Sequence, residues 1–397
     1  MITPRNPYTP GAGVTPRCLA GRDELIQDAQ LKLSSTADGF NERSVIYYGL
    51  RGVGKTVLLN AVENICDDLD ILCNHIEIKE DGNLKSALAI SATAFANNMS
   101  LVSAAKSAAT KLKALVQSFT TTWNPQDNTV SFSVDAEALS AANAGTGDLT
   151  NDLTQLLVGL GKCAKRCKQT VCFCIDEVQN AHKDELEALM TALHRINQLS
   201  LPVIFFCAGL PRILKDAGDA KSYSERLFEF IEVDALSREA AREAIIQPAL
   251  QQQVIFAEDA VELIFDETAG YPYFIQELCA TIWHNAEGSA VTREDVLANI
   301  DEANRRLDKS FFLVRYNRCT EKEREFLHAM VACGELPCTI ANVAKAMKRE
   351  VTSISPFRAK LIGKGLIYAT SRGEIDFTVP RFDEFLKRMQ SGQDTAK

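Results

Sequence analysis

Hydrophobic and polar positions along this chain fall into two kinds of run. Short, almost wholly apolar stretches end at Tyr48, Ile175 and Cys207: Ser44-Val45-Ile46-Tyr47-Tyr48, Gln169-Thr170-Val171-Cys172-Phe173-Cys174-Ile175 and Pro202-Val203-Ile204-Phe205-Phe206-Cys207. They predict strands buried on both faces. Ile71 to Ile78 and the alternating run Phe228 to Val233 add two more strands. Between them lie helical patterns: Thr56 to Val62, Leu84 to Gln117, a helix through Leu153, Leu156, Leu157 and Leu160 capped by Asp148, Ala181 to Gln198, and a short helix from Asp219 to Leu227. Strand and helix in alternation predict right-handed crossovers and an α/β fold with a parallel five-stranded sheet. Trp123 to Gly147 breaks the pattern: Asn128 to Val134 alternates like a hairpin strand, and Ser140 to Thr146 is a small-residue loop.

Beyond Leu236 the strand pattern stops. Four helical patterns follow, Ser237 to Leu250, Ala257 to Thr268, Tyr271 to His284 and Thr292 to Leu307, with Ser237 and Thr292 as N-caps. They predict a helical lid. The last section predicts helices at Glu321 to Ala332, Thr339 to Met347 and Val351 to Lys364, then strands Leu366 to Thr370 and Glu374 to Thr378 joined by Ser371-Arg372-Gly373. Helix-turn-helix followed by a hairpin is a winged-helix pattern. The domain boundaries implied are 1–235 for the sheet domain, with an insertion at about 84–147, then 236–308 for the lid and 309–397 for the winged helix.

The chemistry lies where two of the apolar strands end. Gly49-Leu50-Arg51-Gly52-Val53-Gly54-Lys55-Thr56 matches G-x-x-x-x-G-K-[ST] between a strand and a helix. Glycines there let backbone N–H groups converge on phosphate oxygens, and the helix N-terminus adds a positive dipole end. Lys55 would reach the β- and γ-phosphates of ATP, and the Thr56 hydroxyl would hold Mg²⁺. A plain glycine-rich turn with a solvated lysine is the simpler alternative. The second stretch ends in Asp176-Glu177. A carboxylate at the tip of a buried parallel strand suits the Mg²⁺ hydration shell, and the next one suits an attacking water.

Composition narrows the class. Hydrophobic residues are 46% and charged residues 24%, ordinary for a globular chain, and no apolar run reaches the length of a membrane span. The start of the sequence lacks the apolar core of a signal peptide, so a cytoplasmic location is expected. The net charge of −9 excludes a uniformly basic nucleic-acid coat, yet Phe311 to Lys397 holds 15 Lys+Arg against 10 Asp+Glu, a local +5. The 12 cysteines show no paired C-x-x-C set with zinc-finger spacing. They are expected to be buried thiols packing as small hydrophobes. On the predicted recognition helix, Arg358, Lys360 and Lys364, with Arg372 at the wing tip, are the candidate contacts to double-stranded DNA; a protein-interaction module is the alternative.

Together these motifs resemble an AAA+ ATPase of the group related to prokaryotic origin-recognition initiators, bordering the STAND signalling NTPases. The resemblance rests on Leu19-Ala20-Gly21-Arg22-Asp23, Gly49 to Thr56, Ile175-Asp176-Glu177-Val178-Gln179, Gly209-Leu210-Pro211, Ser222 to Phe228, and Gly270-Tyr271-Pro272-Tyr273-Phe274-Ile275-Gln276. It implies ATP and Mg²⁺ as ligands, hydrolysis with Glu177 and Lys55 as catalytic residues, and self-association on ATP. In such an oligomer Arg226 would reach a neighbour's γ-phosphate; a surface salt bridge with Glu225 or Glu229 is the alternative. It also implies a polar residue at the fourth strand's tip, where Cys207-Ala208-Gly209 stands, and an arginine on the lid helix, where Pro272 is followed by Tyr273. These departures imply slow turnover. The absence of an Asn-Lys-x-Asp motif favours ATP over GTP. Two functions follow: an ATP-driven switch that binds DNA, or a signalling or defence NTPase that oligomerises on ATP and uses its winged helix for protein or intramolecular contacts.

Overall fold

A computed structural model describes residues 5–100, 106–123, 145–371 and 373–394. The chain divides into two compact units, one of Asp23–Tyr48 and Lys55–Glu232, the other of Met1–Arg22, Gly49–Gly54 and Val233–Lys397.

The first unit, the sheet unit, holds α1 (Asp23–Ala37), β1 (Ser44–Tyr48), α2 (Lys55–Asp68), β2 (Leu72–Glu77), α3 (Leu84–Met99), α4 (Lys106–Trp123), α5 (Leu149–Cys167), β3 (Val171–Asp176), α6 (Lys183–Gln198), β4 (Val203–Gly209), α7 (Ile213–Ala220), α8 (Ser224–Leu227) and β5 (Phe228–Glu232). The sheet is parallel throughout, in the order β2-β3-β4-β1-β5. Every residue of β3 and β4 is buried, which is why both read as unbroken apolar runs. Phe173 and Phe205 stack across these strands at 4.6 Å, within a core that α3 to α6 complete. Asp148 caps α5, its side chain accepting from Thr150 and Asn151 N–H groups, and Lys168 closes that helix in the left-handed region.

Some expectations shift. The long helical pattern from Leu84 is two helices, α3 and α4. The helix expected from Asp219 is two short ones, because α7 starts earlier, at Ile213 after the Arg212 N-cap, and the chain extends at Lys221 before α8. Asn128 to Val134 lies outside the described residues.

The second unit, the C-terminal unit, begins with Tyr8 packed edge-on against Trp283 and Phe256. It continues through α9 (Arg238–Leu250), β6 (Ile255–Phe256), α10 (Glu258–Thr268), α11 (Pro272–Asn285), β7 (Ala290–Val291), α12 (Arg293–Leu307), a π-helical turn Asp308–Phe312 and α13 (Leu313–Asn317). Ser237 and Thr292 are N-caps, Thr292 within a capping box with Asp295. Strands do not stop at Leu236 as the pattern suggested: β6 and β7 pair in parallel, two residues each, too short to leave a periodicity. After them come α14 (Glu321–Ala332), β8 (Cys338–Thr339), α15 (Ile340–Ala346), α16 (Val351–Gly363), β9 (Ile367–Tyr368), β10 (Glu374–Phe377) and α17 (Phe382–Asp394). The last strands form an antiparallel sheet in the order β8-β10-β9, with β8 an addition to the expected hairpin. Helix α17 also goes beyond the expected ending; it buries Phe382, Phe385 and Leu386 at helical spacing.

Candidate nucleotide site

In the sheet unit the strand order sets β4 between β1 and β3. Tyr48 is level with Gly209, and Ile175 with Cys207. Asp176 ends β3, and Thr56 is the second residue of α2. The Thr56 hydroxyl donates to Asp176 Oδ2 at 2.6 Å, while Asp176 Oδ1 accepts from the Glu177 N–H at 2.7 Å. Asp176 is buried. One hydroxyl and one carboxylate held together are hard oxygen donors, the set that suits Mg²⁺. Lys55 opens α2, where the helix dipole favours an anion.

Glu177 follows in the left-handed region at φ 52°. A residue with a Cβ is strained there, and such strain gathers at functional positions. Its carboxylate accepts a hydrogen bond from Gln179 Nε2, and Gln179 Oε1 accepts from the Leu210 N–H at 2.9 Å. The side chain of Gln179 therefore joins Glu177 to the end of β4. Gly209 makes room for it: a Cβ there would stand 2.8 Å from Gln179 Oε1. Arg212 ties down the same turn by donating to the Gln179 carbonyl and to Asn180 Oδ1. The polar group expected on the fourth strand comes instead from the segment after the third. Its sequence signal was the Gln two positions past Glu177 together with the Gly at the tip of β4.

The glycine arc Gly49–Gly54, with Gly52 at φ 89° and Gly54 at φ 97°, is held within the C-terminal unit. The Tyr271 hydroxyl donates to the Arg51 carbonyl at 2.6 Å, and Arg22 donates to the Val53 carbonyl at 3.3 Å. The Arg51 N–H donates to the Thr378 carbonyl at 3.1 Å, just past β10. A Cβ on Gly52 would stand 3.2 Å from both Tyr271 and Tyr273. Burial raises the Tyr271 hydroxyl well above the usual tyrosine range, so it stays a donor. Gly270 reaches φ 70°, and a Cβ on it would meet the Leu236 carbonyl oxygen at 2.3 Å. That close approach, with Pro272 starting α11, accounts for the Gly-Tyr-Pro order. Tyr273 stands where an arginine was expected, its ring stacked on Phe311 at 4.7 Å.

Residues 19–206 match the family model described as AAA ATPase domain, and residues 309–386 match one described as a domain of unknown function. A Walker-type ATPase of Pyrococcus abyssi superposes with a TM-score of 0.54 at 14% identity, covering 93% of this chain and 96% of that one. The fold is that of an AAA+ P-loop NTPase. Two other solved structures are similar over comparable lengths. The Orc1 protein of Aeropyrum pernix, solved in complex with DNA, has a TM-score of 0.47 and 16% identity over 94% of each chain. The RuvB Holliday junction branch migration motor of Thermotoga maritima has a TM-score of 0.44 and 16% identity over 94% of this chain and 98% of that one. No curated protein sequence matches this chain.

The remaining candidates fall on both units. Arg226 lies on α8, exposed, 3.7 Å from Glu225, beside a 520 Å³ pocket also lined by His194, Asn197, Gln198, Tyr223 and Leu227. On α16, Lys360 is exposed, whereas Arg358 is half-buried. Lys364 is committed inward: its ammonium lies 2.6 Å from the buried Glu323 carboxylate and donates to the Arg318 carbonyl. Arg372 lies outside the described residues. No described helix is long and apolar enough to cross a membrane.

Proposed function

We propose that this chain binds Mg·ATP and hydrolyses it slowly, as a switch. The contact between Thr56 and Asp176, with Glu177 adjacent, carries the reading. Gly49 to Lys55 would cradle the phosphates, with Lys55 serving the β- and γ-oxygens. Thr56 and Asp176 would hold Mg²⁺, whose charge offsets that of the phosphates. Glu177 would orient and deprotonate the attacking water once its bond from Gln179 is released. Holding the base in that bond, with Tyr273 in place of an arginine, favours slow turnover. The exposed Arg226 is suited to a neighbouring subunit's site in an ATP-dependent homo-oligomer. Calorimetry of the purified chain with Mg²⁺ and ATP tests the reading: heat of uptake is expected, stronger than with GTP, and none refutes it.

The output of the switch has two readings. Helices α14 to α16 with the β9–β10 hairpin would make up a winged helix, and the Arg51–Thr378 contact ties the end of that hairpin to the glycine arc. This favours a winged helix used for intramolecular contact, reporting on the arc. The local excess of positive charge and the exposed Lys360 favour duplex DNA. The other exposed side chains of α16, among them Thr352, Ser355, Pro356 and Ala359, are uncharged, which weakens the second reading. A gel-shift titration with ATP across salt decides between them. Binding at low salt that weakens with salt supports DNA; assembly on ATP that ignores DNA supports the first reading.

A further inference from the structure

Four of the 12 cysteines meet at one point in the sheet unit. Cys66 comes from α2, Cys73 from β2, and Cys172 and Cys174 from β3. The sulfurs of Cys66, Cys73 and Cys172 all lie within 4.8 Å of one another. Cys174 Sγ is 3.7 Å from Cys73 Sγ and 3.9 Å from the Leu59 carbonyl of α2. The sheet geometry explains the convergence. Cys73 and Cys172 are register partners on adjacent parallel strands, and Cys172 and Cys174 are two apart on one strand, so all three share a face. Val171, Phe173 and Ile175 point the other way, into the main core. Helix α2 covers the thiol face and delivers Cys66 to it.

We propose that Cys66, Cys73 and Cys172, with Cys174 as the fourth donor of a tetrahedral set, bind a thiophilic d¹⁰ cation, zinc(II) or copper(I). A Zn–S bond of about 2.3 Å places the sulfurs of a tetrahedral site about 3.8 Å apart. Cys66, Cys73 and Cys172 lie within 4.8 Å of one another and Cys174 is 3.7 Å from Cys73, so closing the site would draw Cys174 in toward the other two sulfurs. Small apolar fillers have no need to cluster sulfur; four thiols on three elements make a soft donor set that selects such ions. Cys73 is the one partly exposed member and gives the entry path. The His75–Glu63 pair, 3.4 Å apart, lies two residues further along β2. A bound ion would staple the helix that carries Thr56 to the strand that carries Asp176.

The test uses the full chain, reduced anaerobically, stripped with a chelator and shown to be folded by circular dichroism. It is titrated with cobalt(II), then in separate arms with zinc(II) and copper(I). The expected result is uptake of about one ion per chain, with a sulfur-to-cobalt charge-transfer band that zinc or copper removes. The melting midpoint should rise with the metal that binds. Cys73→Ser and Cys66→Ser should lose this uptake, while Cys167→Ser and Cys333→Ser, from other thiol pairs, should keep it. Metal should also shield Cys73 of the unmodified folded chain from alkylation, read by mass spectrometry, so the outcome does not depend on the variants folding. No uptake by the folded reduced chain, uptake retained in Cys73→Ser, or shielding only at cysteines outside the four would each overturn the proposal.

Discussion

Replacing Lys364 with methionine separates a structural role from a DNA contact. Glu323 is almost wholly buried, its side chain 1% exposed, and Lys364 is 2.6 Å away with 30% exposure. Methionine keeps much of the length of the side chain and removes the charge. The Glu323 carboxylate then retains the capping-box bond from the Thr320 N–H, while the Glu323 N–H donates back to the Thr320 hydroxyl. Removing one member of a buried pair costs roughly 3–5 kcal/mol. Partial solvent access at Lys364 and the surviving cap lower the expectation to about 2–3 kcal/mol. At roughly 2–4 °C per kcal/mol for a domain of this size, the melting midpoint should fall by about 4–12 °C.

The effect depends on pH with a fixed sign. Burial alone would raise the Glu323 carboxyl, but the Lys364 ammonium and the Thr320 N–H outweigh it and hold the group below the ordinary glutamate range. A carboxyl depressed in the folded state contributes stability above its unfolded pKa, about 4.3, and loses it as pH falls through the folded value. The gap between wild type and variant is therefore full at neutral pH and closes in acid. Scanning calorimetry at several pH values measures it. The Glu323→Gln/Lys364→Met double variant should recover most of the loss. A Lys364→Met chain that melts like wild type, or a double variant no better than the single, refutes the reasoning.

Other outcomes follow from the candidate site. Glu177→Gln should keep nucleotide binding while phosphate release falls on the order of 10²–10⁴-fold, since the general base is lost. Gln179→Leu removes the Gln179 bond to the Glu177 carboxylate and leaves the Leu210 N–H without its side-chain acceptor; steady-state kinetics should show kcat changing far more than KM. Gly270→Ala, with φ 70° and a Cβ against the Leu236 carbonyl, should lower stability by more than about 1 kcal/mol in denaturant unfolding.

The fold was legible where burial makes sequence monotonous. Residues 171–175 and 203–207 are wholly apolar because both faces of β3 and β4 are covered, and the glycine arc sits at a kind of turn that needs several glycines. Caps at Asp148, Ser237 and Thr292 were equally readable, since each hydroxyl or carboxylate serves N–H groups two or three residues on. Short pairings such as β6 with β7 and the β8 edge leave no period to detect. Long-range convergence was also hidden. Nothing in the spacing of Cys66, Cys73, Cys172 and Cys174 announces that the register of β2 on β3 will gather them. The Gln179 bridge was half visible: the residue lay in the motif, but its target at Leu210 depends on the neighbouring strand. Lys364 shows the reverse case, a basic residue on a predicted recognition helix that the tertiary structure turns toward a buried acid.

The left-handed backbone at Glu177 carries a consequence for the evolution of this protein. Asparagine adopts that conformation more readily than glutamate. An ancestor or descendant differing by Glu177→Asn would fold more firmly, by up to about 1 kcal/mol, and have no carboxylate to activate water. Under the proposed mechanism the backbone strain at Glu177 is the cost of placing a carboxylate beside Asp176, a cost that asparagine or glycine would relieve by giving that carboxylate up.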